Sequence, residues 1–113
     1  MNKVPKRLKA LLREHLDRAW EAEMGAALGA LGERFDQWRG GALSTADLDA
    51  AIHRYHNATA RAIWKHYAGD DLEVALVGAV VRGVITRESL PPEVLERIGG
   101  LLESLACLDR ADD

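Results

Sequence analysis

The side chains best suited to chemistry concentrate between Asp49 and Tyr67, where Asp49, His53, His56, Arg61, Trp64, His66 and Tyr67 fall in one short stretch. Asp49, His53 and His56 stand at i, i+4 and i+7. On a helix that spacing aims a carboxylate and two imidazoles at one point, as a metal ion requires. A complete site needs a further ligand from another element, and the His-x-x-His pair lacks the Glu partner of familiar helical metal motifs. The favoured reading is structural: Asp49 holds the His53 ring across one turn, and both histidines lie at a helix interface. A third reading is a partner surface. His53, His56, Trp64 and Tyr67 offer the half-polar aromatic chemistry that interfaces favour.

Arg61 and His66, followed by Tyr67, form an Arg-x4-His pair that resembles the motif of HEPN-type helical ribonucleases. The resemblance implies that Arg61 steadies a phosphate while His66 acts as acid or base, with Tyr67 beside them. Eleven arginines and four histidines make such a spacing common in this chain. On a regular helix the two side chains also diverge by about 140°. The expectation is therefore no catalytic residue, with Arg61, His66 and Tyr67 as the alternative set. More broadly, Gly41, Ser44, Asp47, Leu48, Ile52, His53, Tyr55, His56, Asn57, Arg61 and Tyr67 resemble the central segment of short bacterial helical proteins of uncharacterised activity. This covers about a quarter of the chain and implies a bacterial, cytoplasmic origin. It carries no catalytic residue across.

The elements that must position these residues read as helices throughout. Leu8, Leu12, Leu16, Trp20, Met24, Leu28, Leu31, Phe35 and Trp38 recur at three- and four-residue spacing, from Pro5 to the pair Gly40 and Gly41. That predicts a first helix far longer than the usual 10 to 14 residues. Gly25, Gly29 and Gly32, beside Ala22, Ala26 and Ala30, predict a neighbouring helix in close approach in preference to a kink. Ser44 and Asp47 form a capping pair for a second helix that Gly69 closes in the left-handed conformation. On it Leu48, Ile52, Tyr55, Thr59, Ala62 and His66 make a core stripe, while Arg54, Arg61 and Lys65 face solvent. Asp49, His53, His56, Ala60, Trp64 and Tyr67 share the flank between. Asp70 or Asp71 caps a third, buried helix over Leu72 to Ile85, and Pro91 and Pro92 open a fourth.

The expectation is an all-α bundle of about four helices with a long N-terminal helix, one domain over residues 1–113 and an acidic tail, 109–113, that frays. At 113 residues, 48% hydrophobic and 29% charged, the chain lies outside the disorder-prone compositions. Its net charge of −3 exerts no global pull on nucleic acid. The charge is uneven, with cations early and acids late. A basic helix presenting Lys3, Lys6, Arg7, Lys9 and Arg13 to phosphates is the sharper reading of the N-terminus, and a solvated or internally paired face the favoured one. A lone Cys107 and the lack of a long apolar run predict a cytoplasmic protein with no membrane span. No Gly-rich phosphate loop or recognisable cofactor motif is present, so no cofactor is expected. The role these features imply is that of a small homodimeric interaction or accessory protein without catalysis of its own.

Overall fold

A computed structural model describes residues 4–111, with side chains through residue 105. The chain is α-helical, and no strand occurs among the described residues. In order come α1 (Lys6–Arg39), α2 (Thr45–Arg54), a π-helical turn (Tyr55–Thr59), α3 (Ala60–Tyr67), α4 (Leu72–Val81), a 3-10 turn (Arg87–Ser89) and α5 (Pro92–Ala111). Because α2, the π turn and α3 run on without a break, the described residues form four helical rods. Residues 109–111 of the acidic tail continue α5, and residues 112 and 113 lie outside those described.

Local chemistry explains where the rods begin and end. The Pro5 carbonyl accepts the first backbone bond of α1, from Lys9 at 2.9 Å. Ser44 accepts the Asp47 amide at 3.0 Å, and Asp71 accepts the amides of Glu73 and Val74 at 3.1 Å. Each cap satisfies donors that a helix start leaves free. α1 stops at Gly41, whose φ of 83° is left-handed, with Gly41 N–H bonded to Trp38 and Ala42 N–H to Gln37. The same pair of bonds closes α4: Gly83, at φ 77°, donates to Val80 and Val84 donates to Ala79. α4 consequently ends at Val81 and does not continue to Ile85. Gly69, by contrast, is not left-handed, because the second rod ends at Ala68 in right-handed geometry.

The chain divides into two compact units. In the first, built from residues 1–19 and 69–113, Leu12, Leu16 and Ala19 of α1, Leu76, Val77 and Ala79 of α4, and Leu90, Val94, Ile98 and Leu102 are buried. Arg97 of α5 donates to Glu73 of α4 at 2.9 Å, with both side chains about three-quarters covered. His15 is buried in the same unit, on the turn between Leu12 and Leu16.

The second unit, residues 20–68, is an antiparallel hairpin of the later part of α1 against the α2–π–α3 rod. Trp38 donates to Thr45 at 3.1 Å near the turn, and Tyr67 donates to Glu23 at 2.8 Å at the open end. The close helix approach predicted at the glycines of α1 is not made within the hairpin. The helix passes through Gly25, Gly29 and Gly32 unbroken, and a methyl placed on any of them meets no atom within 4 Å. Among the described residues no helix closes on them.

Two glycine substitutions should therefore act in opposite directions. Gly83→Ala forces a side chain into left-handed backbone and should destabilise by about 1–2 kcal/mol. Gly29→Ala adds a methyl to open helix surface and should stabilise by about 0.5–1 kcal/mol. Urea unfolding followed by circular dichroism measures both, and equal signs would contradict the two backbone assignments.

Candidate functional site

The π turn decides what the second rod presents. Its defining bond runs from the Ala60 amide to the Tyr55 carbonyl, five residues back, so the segment holds one residue more than a regular helix. One extra residue sets every later side chain back by about 100°, so that each takes the place of the residue before it. Before the turn Leu48 is buried and Tyr55 half-buried as expected, but Ile52 of the expected core stripe is exposed and Ala51 is half-buried instead, because the contact line passes nearer Ala51. After it, the expected core positions Thr59 and Ala62 are exposed, and Ala60, Ile63 and Tyr67 take their place. The flank predicted to run from Asp49 to Tyr67 is thereby broken into two parts that face different ways.

In the first part, Asp49 and His53 approach to 3.5 Å between Oδ2 and Nε2, as the one-turn spacing requires. Both side chains are about 70% exposed, so the contact contributes little. His56 is exposed within the π turn. Among the described residues no three His, Cys, Asp or Glu side chains gather where a metal ion would sit, so Asp49, His53 and His56 do not converge.

The second part does contain a cluster, centred on a residue the sequence reading passed over. Glu23 of α1 accepts the Tyr67 hydroxyl through Oε1 at 2.8 Å, and its Oε2 lies 3.5 Å from His66 Nδ1. The Glu23 side chain is 17% exposed and that of His66 33%. The His66 Nδ1 atom is buried and makes no hydrogen bond, and the rings of His66 and Tyr67 meet edge to face at 6.3 Å. A signal for Glu23 was available, because it stands four residues after Ala19 on the edge of the inward stripe of α1. A carboxylate there needs a donor across the interface, which Tyr67 supplies.

Arg61 and His66 are not brought together. No π turn intervenes between them, so the angular separation of a regular helix persists. Arg61 is exposed, whereas His66 turns to Glu23 on the opposing helix. The pair does not frame a phosphate. Trp64, on the flank, is 67% exposed.

Of the N-terminal cations, Arg7 finds a protein partner. Arg7 pairs with Glu93 at 3.0 Å, and Lys9 lines an open groove of about 550 Å³ together with Asp70, Asp71 and Glu73. Lys6 and Arg13 are exposed, and Lys3 lies outside the described residues. Arg7 and Lys9 thus lie near acids of the later chain, while Lys6 and Arg13 face solvent.

The Glu23–Tyr67 bond has a measurable weight. Hydrogen bonds to charged groups contribute more than neutral ones, and partial exposure reduces the gain, so Tyr67→Phe should lower stability by about 1 kcal/mol. Chemical denaturation of the two proteins side by side reads the difference. An unchanged midpoint would mean that the bond contributes nothing to holding the hairpin closed.

Compared with protein-family models, with curated proteins and with solved structures, the chain matches none of them, so its functional reading rests on its own geometry.

Proposed function

We propose that this protein is a small helical interaction or accessory protein, which works by presenting the Trp20–Ala68 hairpin to a protein partner and carries out no catalysis of its own. One observation carries the reading. The hairpin buries only Leu48 and Ile63 among its large apolar side chains, yet leaves Trp20, Leu28, Trp38, Ile52 and Trp64 exposed. Apolar surface in that quantity on so small a unit marks a surface that is covered when the protein works. Three of the five are tryptophans, the residue type that anchors interfaces most strongly. His53 and His56 lie exposed on the same rod and belong to the rim of such a surface, whereas Tyr67 is engaged with Glu23 and supports the hairpin from within.

A partner surface suits the remaining features better than a ribonuclease or a metal centre. Arg61 and His66 diverge, and Asp49, His53 and His56 do not gather on a point. No helix among the described residues is long and apolar enough to cross a membrane. Work in a bacterial cytoplasm fits a chain with a single cysteine, Cys107, and no possible internal disulfide. The partner set includes a second copy of the chain.

In-cell photo-crosslinking tests the reading without assuming the occupant. A benzophenone amino acid placed at Trp64 should give protein adducts on irradiation, and one at Arg54, on the opposite side of the hairpin, should give few. Absence of adducts at position 64, or equal yields at both, would overturn it. Cleavage of single-stranded or structured RNA that His66→Ala abolishes would also overturn it, in favour of the enzyme.

A further inference from the structure

The hairpin is amphipathic across its width as well as its depth. In an antiparallel pair, side chains that lead the contact line on both helices fall on the same side of the pair. Met24, Leu28 and Phe35 lead the line on α1, which the Trp38–Thr45 and Tyr67–Glu23 bonds locate. Ile52 leads it on α2, and Trp64, set back toward the contact line by the π turn, on α3. These five residues make an apolar stripe on that side, with the exposed Asp49, His53 and His56 along its edge. The other side has a shallow groove in which Arg34, Arg54 and Thr59 stand among the smaller apolar side chains Ala30, Leu31 and Ala51. Without the extra residue of the π turn, Trp64 would sit away from the apolar side.

We propose that the occupant of this side is a second copy of the chain, docked about a two-fold axis so that the two hairpins form an antiparallel four-helix bundle; the proposal rests on the interaction reading above. Three observations favour a copy over another partner. The first is size. Residues 20–39 of α1 span about 30 Å and two helices about 20 Å, a footprint of about 600 Å², at the lower end of the roughly 600–1,000 Å² per partner that specific protein–protein interfaces cover.

The second is closure. Two helices cannot enclose a core, as the mere two buried large side chains, Leu48 and Ile63, show, whereas four helices around one apolar centre can. A two-fold axis buries the same side of both copies and leaves none over.

The third is charge. Glu21 and Arg39 are eighteen residues apart, which is about five whole turns, so they share one line at the edge of the apolar side. Both are exposed, and the bond of Arg39 to Asp36 is a solvent-facing one. Two antiparallel copies of α1 set Glu21 of each opposite Arg39 of the other, giving two opposite-charge pairs per dimer. A parallel arrangement would set like charges together.

Light scattering and sedimentation on the full chain from about 5 to 200 μM test the proposal. The wild type should reach twice the 12.4 kDa chain mass. Leu28→Glu should return it to one copy while circular dichroism stays helical. Glu21→Arg should raise the dissociation constant about tenfold by placing like charges together, and Glu21→Arg with Arg39→Glu should restore it, a rescue that misfolding cannot mimic. Gly29→Ala should leave the mass unchanged. A single copy at every concentration overturns the second-copy occupant, and the crosslink at position 64 then judges the interaction reading separately. A dimer that Gly29→Ala breaks and Leu28→Glu spares also overturns it, since the contact would then run along the glycines. Failure of the double reversal to restore binding rules out the antiparallel register.

Discussion

The continuity of α1 is the constraint on which the other elements depend. One helix of 34 residues supplies Leu12, His15, Leu16 and Ala19 to the core of one unit and Glu23, Ala27, Leu31 and Trp38 to the hairpin of the other. Three interior glycines weaken it, each by about 1 kcal/mol relative to Ala. Packing at its first turns and the Trp38 and Glu23 bonds to the returning rod offset that cost. Helical stability in proteins generally comes from such contacts more than from propensity.

The hairpin illustrates how one backbone bond redistributes many side chains. The Ala60–Tyr55 bond of the π turn costs no residue of the helix, yet it moves Ile63 and Tyr67 inward and Trp64 to the apolar side. The inward shift lets Tyr67 reach Glu23, a part-buried acceptor that would otherwise lack that donor. Core packing and polar satisfaction at the open end of the hairpin therefore share a cause. So does the exposed aromatic surface from which the interaction reading starts.

Electrostatics plays a different part in each unit. In the unit of α4 and α5, the Arg97–Glu73 bond is mostly covered and ties two helices together, while the Arg7–Glu93 pair is exposed and weak. In the hairpin most charges stand at the edges, and Glu23 is the one turned inward. That contrast explains why the sequence-based search for chemistry, led by clustered histidines, settled on exposed residues. The polar group with the most structural consequence was a lone glutamate on an otherwise apolar edge.

By itself the sequence determined the helical class, the long first helix and most helix ends, because apolar spacing and capping residues act over a few neighbours. Ser44, Asp71, Gly41 and Pro92 each did locally what their types dictate. Two glycines escaped this local logic: Gly83 ends α4 and Gly69 is not left-handed, although either type of residue suits a helix end. Which glycine takes the positive φ depends on where the next helix must start. Only the tertiary structure decided the rest. Residue spacing assumes a constant turn, so the π bond, which reverses the roles of Thr59 and Ala60, has no trace in the pattern that preceded it. The partner of Glu23 and the emptiness around Gly25, Gly29 and Gly32 are contacts between segments distant in the chain, fixed only once the two arms of the hairpin have met.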